Sequence, residues 1–415
     1  MTSLWTSWQA TTAQNAGKVA VIDADNGRTW TCAQLTAQAE LLASTLDGHA
    51  IPICQPNSAL WLATFLAIQK LGAAALPVDP LLPLEAQENT IRQVLTHPLS
   101  RVCCVKLTSG TTGDLKPVLC SADNLRADGE HIVRTMGIRP ADRNLAVIPL
   151  GHSYGLGNLV MPLVLQGTAV VCAQTFVPRQ LLRWIDQYEA TVLPTVPAIL
   201  RALAQLGGAM KPPSLRLVIS AGAPLSADVA EEFHQRYGIK IHNFYGSSET
   251  GGICYDLTGH ATLTGRSVGK PLKNVNVRIR RDGHVSVTSR AGKATLPDLG
   301  EWNRYGELRL LGRIGQVANV GGQKVTPMEV ERALRALRGV TDAWVTVVQD
   351  KRGNDCLAAA VETNHTRANL EKRLLETLPA WKLPKIWFIT SGLPRNARGK
   401  LHTSELRARL NVTFP

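Results

Sequence analysis

From residue 108 to residue 116 the chain runs Thr-Ser-Gly-Thr-Thr-Gly-Asp-Leu-Lys, and a short apolar segment lies on either side. Glycine lets a backbone approach phosphate oxygens closely, while hydroxyl and ammonium groups offer them hydrogen bonds and positive charge. No Lys-Ser or Lys-Thr pair follows the second glycine, so this is not a Walker A loop. The pattern predicts a phosphate-binding loop, and the alternative is a flexible polar turn. The candidate phosphate ligands are Thr108, Ser109, Gly110, Thr111, Thr112, Gly113 and Lys116.

Segments of helical periodicity alternate with short apolar runs along the first two thirds of the chain, which is typical of the α/β class. Runs such as residues 215–219 are each followed by a loop or a helix, as in a layered parallel sheet. From Val275 onward, hairpin patterns with turns such as Asp282-Gly283 take over. We predict a large N-terminal core (residues 1–312) with parallel sheets and a β-rich subdomain, followed by a small α+β domain (residues 313–415).

The formal net charge of +13 indicates a polyanionic partner. Residues 313–415 contain 17 lysines and arginines against 9 acidic residues, a net charge of +8, which leaves +5 for the first 312 residues. No basic run with interleaved aromatic residues occurs, so we expect no nucleic-acid partner. A basic C-terminal part suits phosphate groups or an acidic protein partner. The alternative is a solvated basic surface without a specific partner.

No apolar run approaches the roughly 20 residues that cross a bilayer, so we expect no membrane span. The first 17 residues are polar and lack the basic and apolar segments of a secretory signal. The eight cysteines are scattered, without a Cys-x-x-Cys pair or a histidine at ligand spacing. We therefore expect reduced thiols, no disulfide framework and no zinc site, and we predict a cytoplasmic location.

The 108–116 segment resembles the Ser/Thr-Ser-Gly-Thr-Thr-Gly-x-Pro-Lys signature of the adenylate-forming superfamily, which contains acyl-CoA synthetases, peptide-synthetase adenylation domains and luciferases. Leu115 stands where that signature usually has proline. Further motifs follow in the family's order and extend the resemblance over residues 26–410, with most similarity to aryl- and fatty-acyl-CoA ligases such as 4-coumarate–CoA ligase. The resemblance implies ATP-dependent conversion of a carboxylic acid to an acyl-AMP, followed by transfer of the acyl group to a thiol.

Residues 243–251, Asn-Phe-Tyr-Gly-Ser-Ser-Glu-Thr-Gly, resemble the Tyr-Gly-x-Thr-Glu motif of this family. The resemblance implies that Glu249 holds the Mg²⁺ that bridges the ATP phosphates, and carboxylate oxygen suits such a hard cation. Taken alone, a glutamate after two serines is equally a residue at a helix N-terminus. Residues 220–225 resemble the loop that lies against adenine. Together these motifs imply nucleotide contacts from Gly222, Ala223, Asn243, Phe244, Tyr245 and Ser248.

The C-terminal part supplies the remaining nucleotide and hinge candidates. Asp298 resembles the aspartate that binds the ribose hydroxyls, and Arg313, which follows after a hairpin, resembles an arginine that contacts the nucleotide. Gly315 occupies the hinge position, where relatives often carry aspartate or lysine. Residues 393–400, Leu-Pro-Arg-Asn-Ala-Arg-Gly-Lys, resemble the motif whose lysine, here Lys400, catalyses adenylation. The resemblance implies that the C-terminal domain rotates at the hinge between the two half-reactions.

Residues 149–158, Pro-Leu-Gly-His-Ser-Tyr-Gly-Leu-Gly-Asn, resemble the acyl-pocket segment of aryl- and fatty-acyl-CoA ligases. The resemblance implies that His152 flanks the carboxylate, while Tyr154, Asn158 and Gly246 line the acyl pocket. Ordinary core packing is the alternative for the histidine and the tyrosine. The segment contains no aspartate to hold an ammonium group, which disfavours an amino-acid substrate. We therefore expect an aromatic or medium-chain acid.

The expected cofactors are ATP and Mg²⁺, and the expected acceptor is coenzyme A or the phosphopantetheine of an acyl carrier protein. Asn319 and Gly321 replace lysines that contact nucleotide and coenzyme A in 4-coumarate ligases, so both acceptors stay open. One alternative is a succinylbenzoate-type CoA ligase. Another is a degenerate nucleotide- or acyl-binding module, because residues 79–108 are fewer than in typical relatives. The catalytic candidates are Lys400, Glu249, His152 and Thr111.

Overall fold

The computed structural model describes residues 3–109, 115–174, 177–206, 212–313, 318–320, 323–350, 354–395 and 401–410, with the backbone alone at residues 108, 109, 115, 313, 319, 323 and 324. Among these residues, no helix has both the length and the apolar character needed to cross a membrane. Contacts divide the chain into two compact units. The first comprises Met1–Leu225, Val229–Val277 and Val287–Ala294, and the second comprises Ser226–Asp228, Arg278–Ser286 and Thr295–Pro415.

Helices and short strands alternate along the chain up to residue 275. The helices are α1 (Leu4–Asn15), α2 (Cys32–Ala43), α3 (Ala59–Leu71), α4 (Leu84–Leu95), α5 (Ala122–Met136), α6 (Ser153–Gly155), α7 (Met161–Gln166), α8 (Pro178–Gln187), α9 (Pro197–Ala204), α10 (Ala227–Tyr237) and α11 (His260–Leu263), with a π-helical turn at Leu156–Val160. The strands are β1 (Val19–Asp23), β2 (Arg28–Thr31), β3 (Ala50–Ile53), β4 (Ala74–Pro77), β5 (Cys104–Ser109), β6 (Leu115–Cys120), β7 (Arg143–Ala146), β8 (Ala169–Cys172), β9 (Val192–Thr195), β10 (Leu217–Ser220), β11 (Ile241–Ser247), β12 (Gly251–Tyr255) and β13 (Lys270–Pro271).

The first unit is built on a nine-stranded sheet of order β13-β12-β11-β10-β9-β7-β8-β1-β2. The strands from β11 to β1 in this order run parallel, and the pairs at the two edges are antiparallel. Strands β8, β9 and β10 are buried along their whole length, which explains why their sequences are continuous apolar runs without alternation. The predicted layered parallel sheet is confirmed. The carboxyl ends of its strands meet at one edge, where ligands of such sheets bind.

A smaller sheet of order β3-β4-β5-β6 belongs to the same unit. The helix before β4 begins and ends as its sequence predicts, because the Ser58 hydroxyl accepts a hydrogen bond from Trp61 N at 3.2 Å and Gly72 ends it with φ of +69°. Ten of its residues are buried, so this helix is a core element. Helix α4 alone connects β4 to β5, and β5 and β6 then form an antiparallel hairpin.

From residue 276 onward the elements are β14 (Asn276–Ile279), β15 (His284–Ser289), β16 (Gly292–Trp302), β17 (Leu308–Arg313), β18 (Ala318–Val320), β19 (Gln323–Val325), α12 (Pro327–Arg335), β20 (Val340–Gln349), β21 (Asp355–Thr363), α13 (Arg367–Leu374), a 3₁₀ turn (Ala380–Lys382), β22 (Ile386–Thr390) and α14 (Thr403–Leu410). The first four of these strands form one sheet, as the predicted β-rich subdomain requires. Strands β20, β21 and β22 form another, whose apolar face packs on α12 and α13. The α/β class with a small C-terminal α+β part is confirmed. The predicted boundary at residues 312–313 stays a prediction.

A tight turn that contains Tyr305 joins β16 to β17. The Asn303 side-chain oxygen accepts hydrogen bonds from Tyr305 N at 2.9 Å and from Glu307 N at 3.0 Å. An asparagine that bonds the following backbone in this way favours a turn over an extended strand.

A buried ion pair fixes the amino-terminal ends of the central strands. The Asp142 carboxylate, only 5% exposed, pairs with Arg216 just before β10 and accepts hydrogen bonds from Arg139 N at 2.7 Å and Thr191 Oγ1 at 2.9 Å. Burial alone would raise the pKa of Asp142, but these hydrogen bonds outweigh it and hold the pKa below its usual value. The carboxylate therefore stabilises the fold in its charged form.

We predict that Asp142→Asn lowers the free energy of unfolding by roughly 2 kcal/mol at neutral pH, because charge-assisted hydrogen bonds are lost. A carboxyl whose pKa is depressed in the folded state contributes fully above its usual pKa of about 4, and that contribution is lost as the pH falls through the folded-state value. The difference between wild type and variant in urea unfolding should therefore shrink below about pH 4. Asp282→Asn, an exposed control, should change little. A difference independent of pH would contradict the assignment.

Candidate active site

The predicted phosphate loop connects the two strands of the β5–β6 hairpin. In this hairpin Thr108 lies opposite Lys116, and Ser109 lies opposite Leu115. Lys116 is exposed. The side chains of Thr108 and Ser109 and the whole of Gly110, Thr111, Thr112 and Gly113 lie outside the described residues. Their roles therefore stay predictions for a loop that joins two paired strands.

A buried carboxylate lies beside this hairpin. Asp128 on α5 is 2% exposed, and Lys106 on β5, two residues before the loop, is 3% exposed. Burial raises the pKa of Asp128, although the positive charge of Lys106 opposes this shift. Burial alone would lower the pKa of Lys106. The charges of nearby groups, including Asp128, outweigh this effect, so the pKa is raised. The two charges thus favour each other inside the first unit.

The same carboxylate is hydrogen-bonded to the strand that follows the magnesium motif. Asp128 Oδ1 accepts a hydrogen bond from Gly252 N at 2.8 Å. At Gly251, φ is +71° and a Cβ atom would lie 2.2 Å from Asp128 Oδ1, so only glycine fits. Asp128 was not among the predicted residues. Its position inside an amphipathic helix gives no signal, and its partner is 124 residues away.

Glu249 occupies the turn between β11 and β12 and is exposed. The turn is fixed from within, because the Ser247 hydroxyl accepts a hydrogen bond from Thr250 N at 3.2 Å and Thr250 is fully buried. The alternative that Glu249 begins a helix is wrong, since strands stand on both sides of it. An exposed carboxylate on a hydrogen-bonded turn fits a Mg²⁺ ligand, because such a cation requires accessible oxygen.

The predicted acyl segment follows the carboxyl end of β7. The Asn57 side chain fixes its first part, donating to Ala146 O at 3.0 Å and Ile148 O at 2.9 Å and accepting from Leu150 N at 2.9 Å. His152 then caps α6, and its Nδ1 accepts from Tyr154 N at 3.2 Å. This bond requires an unprotonated Nδ1, which leaves Nε2 to carry the proton.

Tyr154 is bonded through its hydroxyl to the backbone of two central strands. The hydroxyl donates to Ile219 O on β10 at 3.0 Å and accepts from Thr195 N on β9 at 3.1 Å. Burial raises the pKa of Tyr154, so the phenol stays protonated. Its ring centroid lies 5.7 Å from that of Phe244. The hydroxyl is therefore occupied by the sheet, and the ring is the part left to face an acyl group.

Three buried polar atoms next to Tyr154 have no hydrogen-bond partner among the described residues. They are Asn158 Oδ1, Thr195 Oγ1 and Ser220 Oγ. Asn158 is fully buried, and its Nδ2 donates to Tyr154 O at 3.3 Å. Thr195 and Ser220 lie opposite each other at the ends of β9 and β10. Because buried polar groups are normally paired, these atoms indicate a place for a bound polar molecule.

The acyl segment and the magnesium turn are joined directly. Ser153 Oγ donates to Ser248 Oγ at 2.7 Å, across 95 residues of sequence. Ser153 was not among the predicted residues, since a serine in a loop carries no pattern of its own. This bond brings the segment assigned to the acid next to the segment assigned to Mg²⁺ and the nucleotide.

The predicted adenine contacts lie at the carboxyl ends of β10 and β11. Gly222 and Ala223 follow β10 and are exposed. Asn243 lies opposite Ser220, and its N–H donates to Thr262 Oγ1 at 2.9 Å. Beyond Asn243, Phe244 is buried, Tyr245 is half-buried and Gly246 is exposed. The first unit thus brings together the loop, adenine, acyl and magnesium candidates that it contains.

The remaining candidates belong to the second unit. Asp298 on β16 is 6% exposed and lies directly opposite Arg313 on β17. The expectation that these two positions converge across a hairpin therefore agrees with the strand register. The side chain of Arg313 and the residues Gly315 and Lys400 lie outside the described part of the chain. Their roles stay predictions.

Two models of known protein families match this chain. A model of the AMP-binding enzyme family matches residues 8–97 and 87–293, and a model of the AMP-binding enzyme C-terminal domain matches residues 329–400. The chain belongs to the AMP-binding enzyme family. Within it, the chain is an AMP-forming acid–thiol ligase that uses ATP with Mg²⁺.

Curated relatives agree with this class. The chain is 28% identical over 351 residues to 2-succinylbenzoate–CoA ligase of Geobacillus kaustophilus, covering 77% of this chain and 71% of that protein. It is 25% identical over 495 residues to peroxisomal OPC-8:0-CoA ligase 1 of Arabidopsis thaliana, covering 94% and 90%.

Solved structures share the fold. ATP-bound MatB from Rhodopseudomonas palustris superposes with a TM-score of 0.86 at 22% identity, covering 98% of each chain. The o-succinylbenzoate CoA synthetase MenE from Bacillus subtilis, solved with its acyl-adenylate, gives a TM-score of 0.84 at 23% identity over 98% of each chain.

We predict that Tyr154→Phe lowers the free energy of unfolding by about 1–3 kcal/mol, because Thr195 N and Ile219 O lose a buried partner. Tyr305→Phe, at an exposed tyrosine, is the control and should change stability by less than about 0.5 kcal/mol. Urea unfolding of both variants measures this. Equal stability of Tyr154→Phe and wild type would show that the hydroxyl does not hold the strand ends together.

Proposed function

We propose that this enzyme activates an aromatic or medium-chain carboxylic acid and transfers the acyl group to coenzyme A or to the phosphopantetheine of an acyl carrier protein. The observation that carries the proposal is the hydrogen bond between Ser153 and Ser248. A carboxylate that attacks the α-phosphate needs its acyl site beside the magnesium and phosphate site. The bond joins the two segments assigned to those tasks.

In the first half-reaction a carboxylate oxygen attacks the α-phosphorus of ATP, and the bond to pyrophosphate breaks. Two anions must meet, so neutralisation of charge and alignment are the main requirements. We assign Mg²⁺ to Glu249, the phosphates to residues 108–113 and Lys116, and the developing charge to Lys400. The adenine is assigned to Gly222, Ala223 and Asn243–Tyr245, and the ribose to Asp298 and Arg313.

The acid is assigned to the pocket of His152, Tyr154, Asn158 and Gly246. The aromatic ring of Tyr154, beside Phe244, supports a flat or apolar acyl group. The unpaired Asn158 Oδ1 supports a polar substituent on that group, since a buried acceptor gains from a donor. A succinylbenzoate-type acid is the alternative within this class, and the Geobacillus relative is named for it.

In the second half-reaction a thiol attacks the acyl carbonyl, the tetrahedral intermediate collapses, and AMP leaves. We propose rotation of the C-terminal domain at Gly315 between the steps, because glycine can absorb a large backbone change. The net charge of +8 over residues 313–415 supports an acidic carrier protein as well as the coenzyme A phosphates. All eight cysteines are free thiols, which supports the proposed cytoplasmic location.

Acid-dependent exchange of labelled pyrophosphate into ATP tests the proposed adenylation. We expect exchange with at least one acid of a panel of benzoate, 4-coumarate, 2-succinylbenzoate and octanoate, and none without acid or Mg²⁺. The same preparation, offered coenzyme A and holo acyl carrier protein side by side, then identifies the acceptor. Absence of exchange with every acid, by a folded protein that still binds ATP, would favour the degenerate binding module.

The role of Lys400 has its own test. We predict that Lys400→Ala lowers the exchange rate by roughly 10²–10³-fold, because a charge that stabilises the adenylation transition state is removed. Synthetic acyl-AMP should still be converted to the thioester, since that step does not use this lysine. Exchange at the wild-type rate in the variant would refute the assignment.

A further inference from the structure

The carboxylate of Asp256, just after β12, accepts hydrogen bonds from the residues that follow it. Asp256 is 2% exposed. Its Oδ1 accepts from Thr258 N at 3.2 Å, from the Thr258 hydroxyl at 3.3 Å and from Gly259 N at 3.0 Å. Its Oδ2 accepts from Thr262 N and from Thr262 Oγ1, both at 2.8 Å. The carboxylate therefore holds the turn and the short helix α11 in place.

The hydroxyl of Thr262 links this carboxylate to β11. Thr262 is fully buried, and its Oγ1 accepts a hydrogen bond from Asn243 N at 2.9 Å. A hydroxyl has a single proton, and here that proton is donated to Asp256 Oδ2. A lone pair of the same oxygen is left for Asn243 N. The charged carboxylate thus fixes the direction in which the hydroxyl accepts.

Both backbone polar groups of Asn243 are held by this arrangement. Its N–H donates to Thr262 Oγ1, and its C=O accepts from Asp256 N at 2.9 Å. Its side chain is half-buried, and within the described ranges the side-chain amide makes no hydrogen bond. The backbone of Asn243 is therefore fixed, while its amide group is left for a ligand.

The support of Asn243 is itself fixed by further contacts. His242 Nδ1 donates to Asp256 O at 2.7 Å, and its ring stacks on that of Tyr255 with the centroids 5.6 Å apart. Gly269 packs closely on the same peptide, since a Cβ atom there would lie 2.4 Å from Asp256 N. Asp256 cannot shift without disturbing these contacts.

We propose that Thr262 is a positioning residue for the nucleotide. Its hydroxyl, oriented by Asp256, holds Asn243 where the side-chain amide meets the edge of adenine. The inference rests on the proposed function, which assigns Asn243 to the base. It goes beyond that assignment because Thr262 is fully buried and acts only through Asn243 in this scheme.

The 6-amino group of adenine is the group whose binding depends on this position. An amide oxygen accepts from an amino group, and asparagine pairs with adenine in this way. Purine riboside triphosphate, which is ATP without the 6-amino group, cannot form that bond wherever Asn243 lies. A displaced Asn243 therefore weakens the binding of ATP and not that of the analogue. A loss of folded protein would instead lower the binding capacity for both nucleotides.

The test uses the full chain and measures the affinity for each nucleotide by calorimetric titration, with Mg²⁺ and without acid. Thr262→Val removes the hydroxyl with little change of shape, and Thr262→Ser restores it. Thr258→Val is the matched control, since it removes a hydroxyl that bonds the same carboxylate but not Asn243. Urea unfolding establishes that each variant is folded under the conditions of the titration.

We expect wild type to bind ATP more tightly than the analogue. Thr262→Val should weaken ATP binding roughly 3- to 10-fold, the size of one lost hydrogen bond, and change analogue binding by less than about two-fold. Thr262→Ser and Thr258→Val should keep the wild-type preference for ATP.

An unchanged preference for ATP in Thr262→Val, or an equal loss of it in Thr262→Ser or Thr258→Val, would overturn the positioning role. Equal affinity of wild type for both nucleotides would show that Asn243 does not bind the amino group, and the inference then fails. Pyrophosphate exchange is measured separately. A wild type that behaves as expected in the titrations but exchanges with no acid refutes the proposed adenylation and still supports this inference. A wild type that binds neither nucleotide overturns both.

Discussion

The Asp128 carboxylate is buried, but a positive charge and a hydrogen-bond donor compensate for its lost hydration. The candidate site of the first unit depends on these two interactions. A carboxylate removed from water is stable only where charges and donors replace the water it loses. Lys106 supplies the charge, and Gly252 N supplies a hydrogen bond of 2.8 Å. The approach of Gly252 in turn requires a glycine at position 251, where a side chain would collide with the carboxylate. The strand after the magnesium turn is therefore tied to the helix that carries Asp128, and the charge of Lys106, on the strand before the phosphate loop, acts on the same carboxylate.

Two kinds of polar group lie at the carboxyl edge of the central sheet. Some are bonded to the backbone and stabilise the structure, and others have no partner among the described residues. The Tyr154 hydroxyl and the Asn57 amide are bonded to backbone, so they set the positions of strand ends and of the acyl segment. Asn158 Oδ1 and Ser220 Oγ are buried without partners among the described residues. A protein seldom leaves such atoms unpaired, and their place at the ligand-binding edge of a parallel sheet supports the proposed acid site.

The sequence predicted those parts of the fold whose signals are local. The Asp282-Gly283 turn acts within a few residues, and the hairpin that it predicted is present. The order of the motifs along the chain predicted which segments contribute to the candidate site. The strand register that places Asp298 opposite Arg313 agrees with this prediction.

Long-range partners could not be predicted in this way. Asp128, Asn57 and Ser153 each bond a residue that is about 90 or more positions away. Nothing in the pattern around a single polar residue specifies such a partner, because the partner is determined by the packed fold.

The two loops assigned to charge stabilisation are attached to the fold in a similar way. Residues 110–114 connect paired strands, and residues 396–400 connect the two sides of an isolated bridge. Near each loop a cation lies on the supporting segment: the buried Lys106 acts on Asp128, and the partly exposed Arg395 pairs with Asp342. A loop that must contact a ligand cannot bury its own side chains, so its accuracy has to come from its ends. Charged contacts suit that purpose better than apolar ones, because a displaced partner leaves a charge uncompensated.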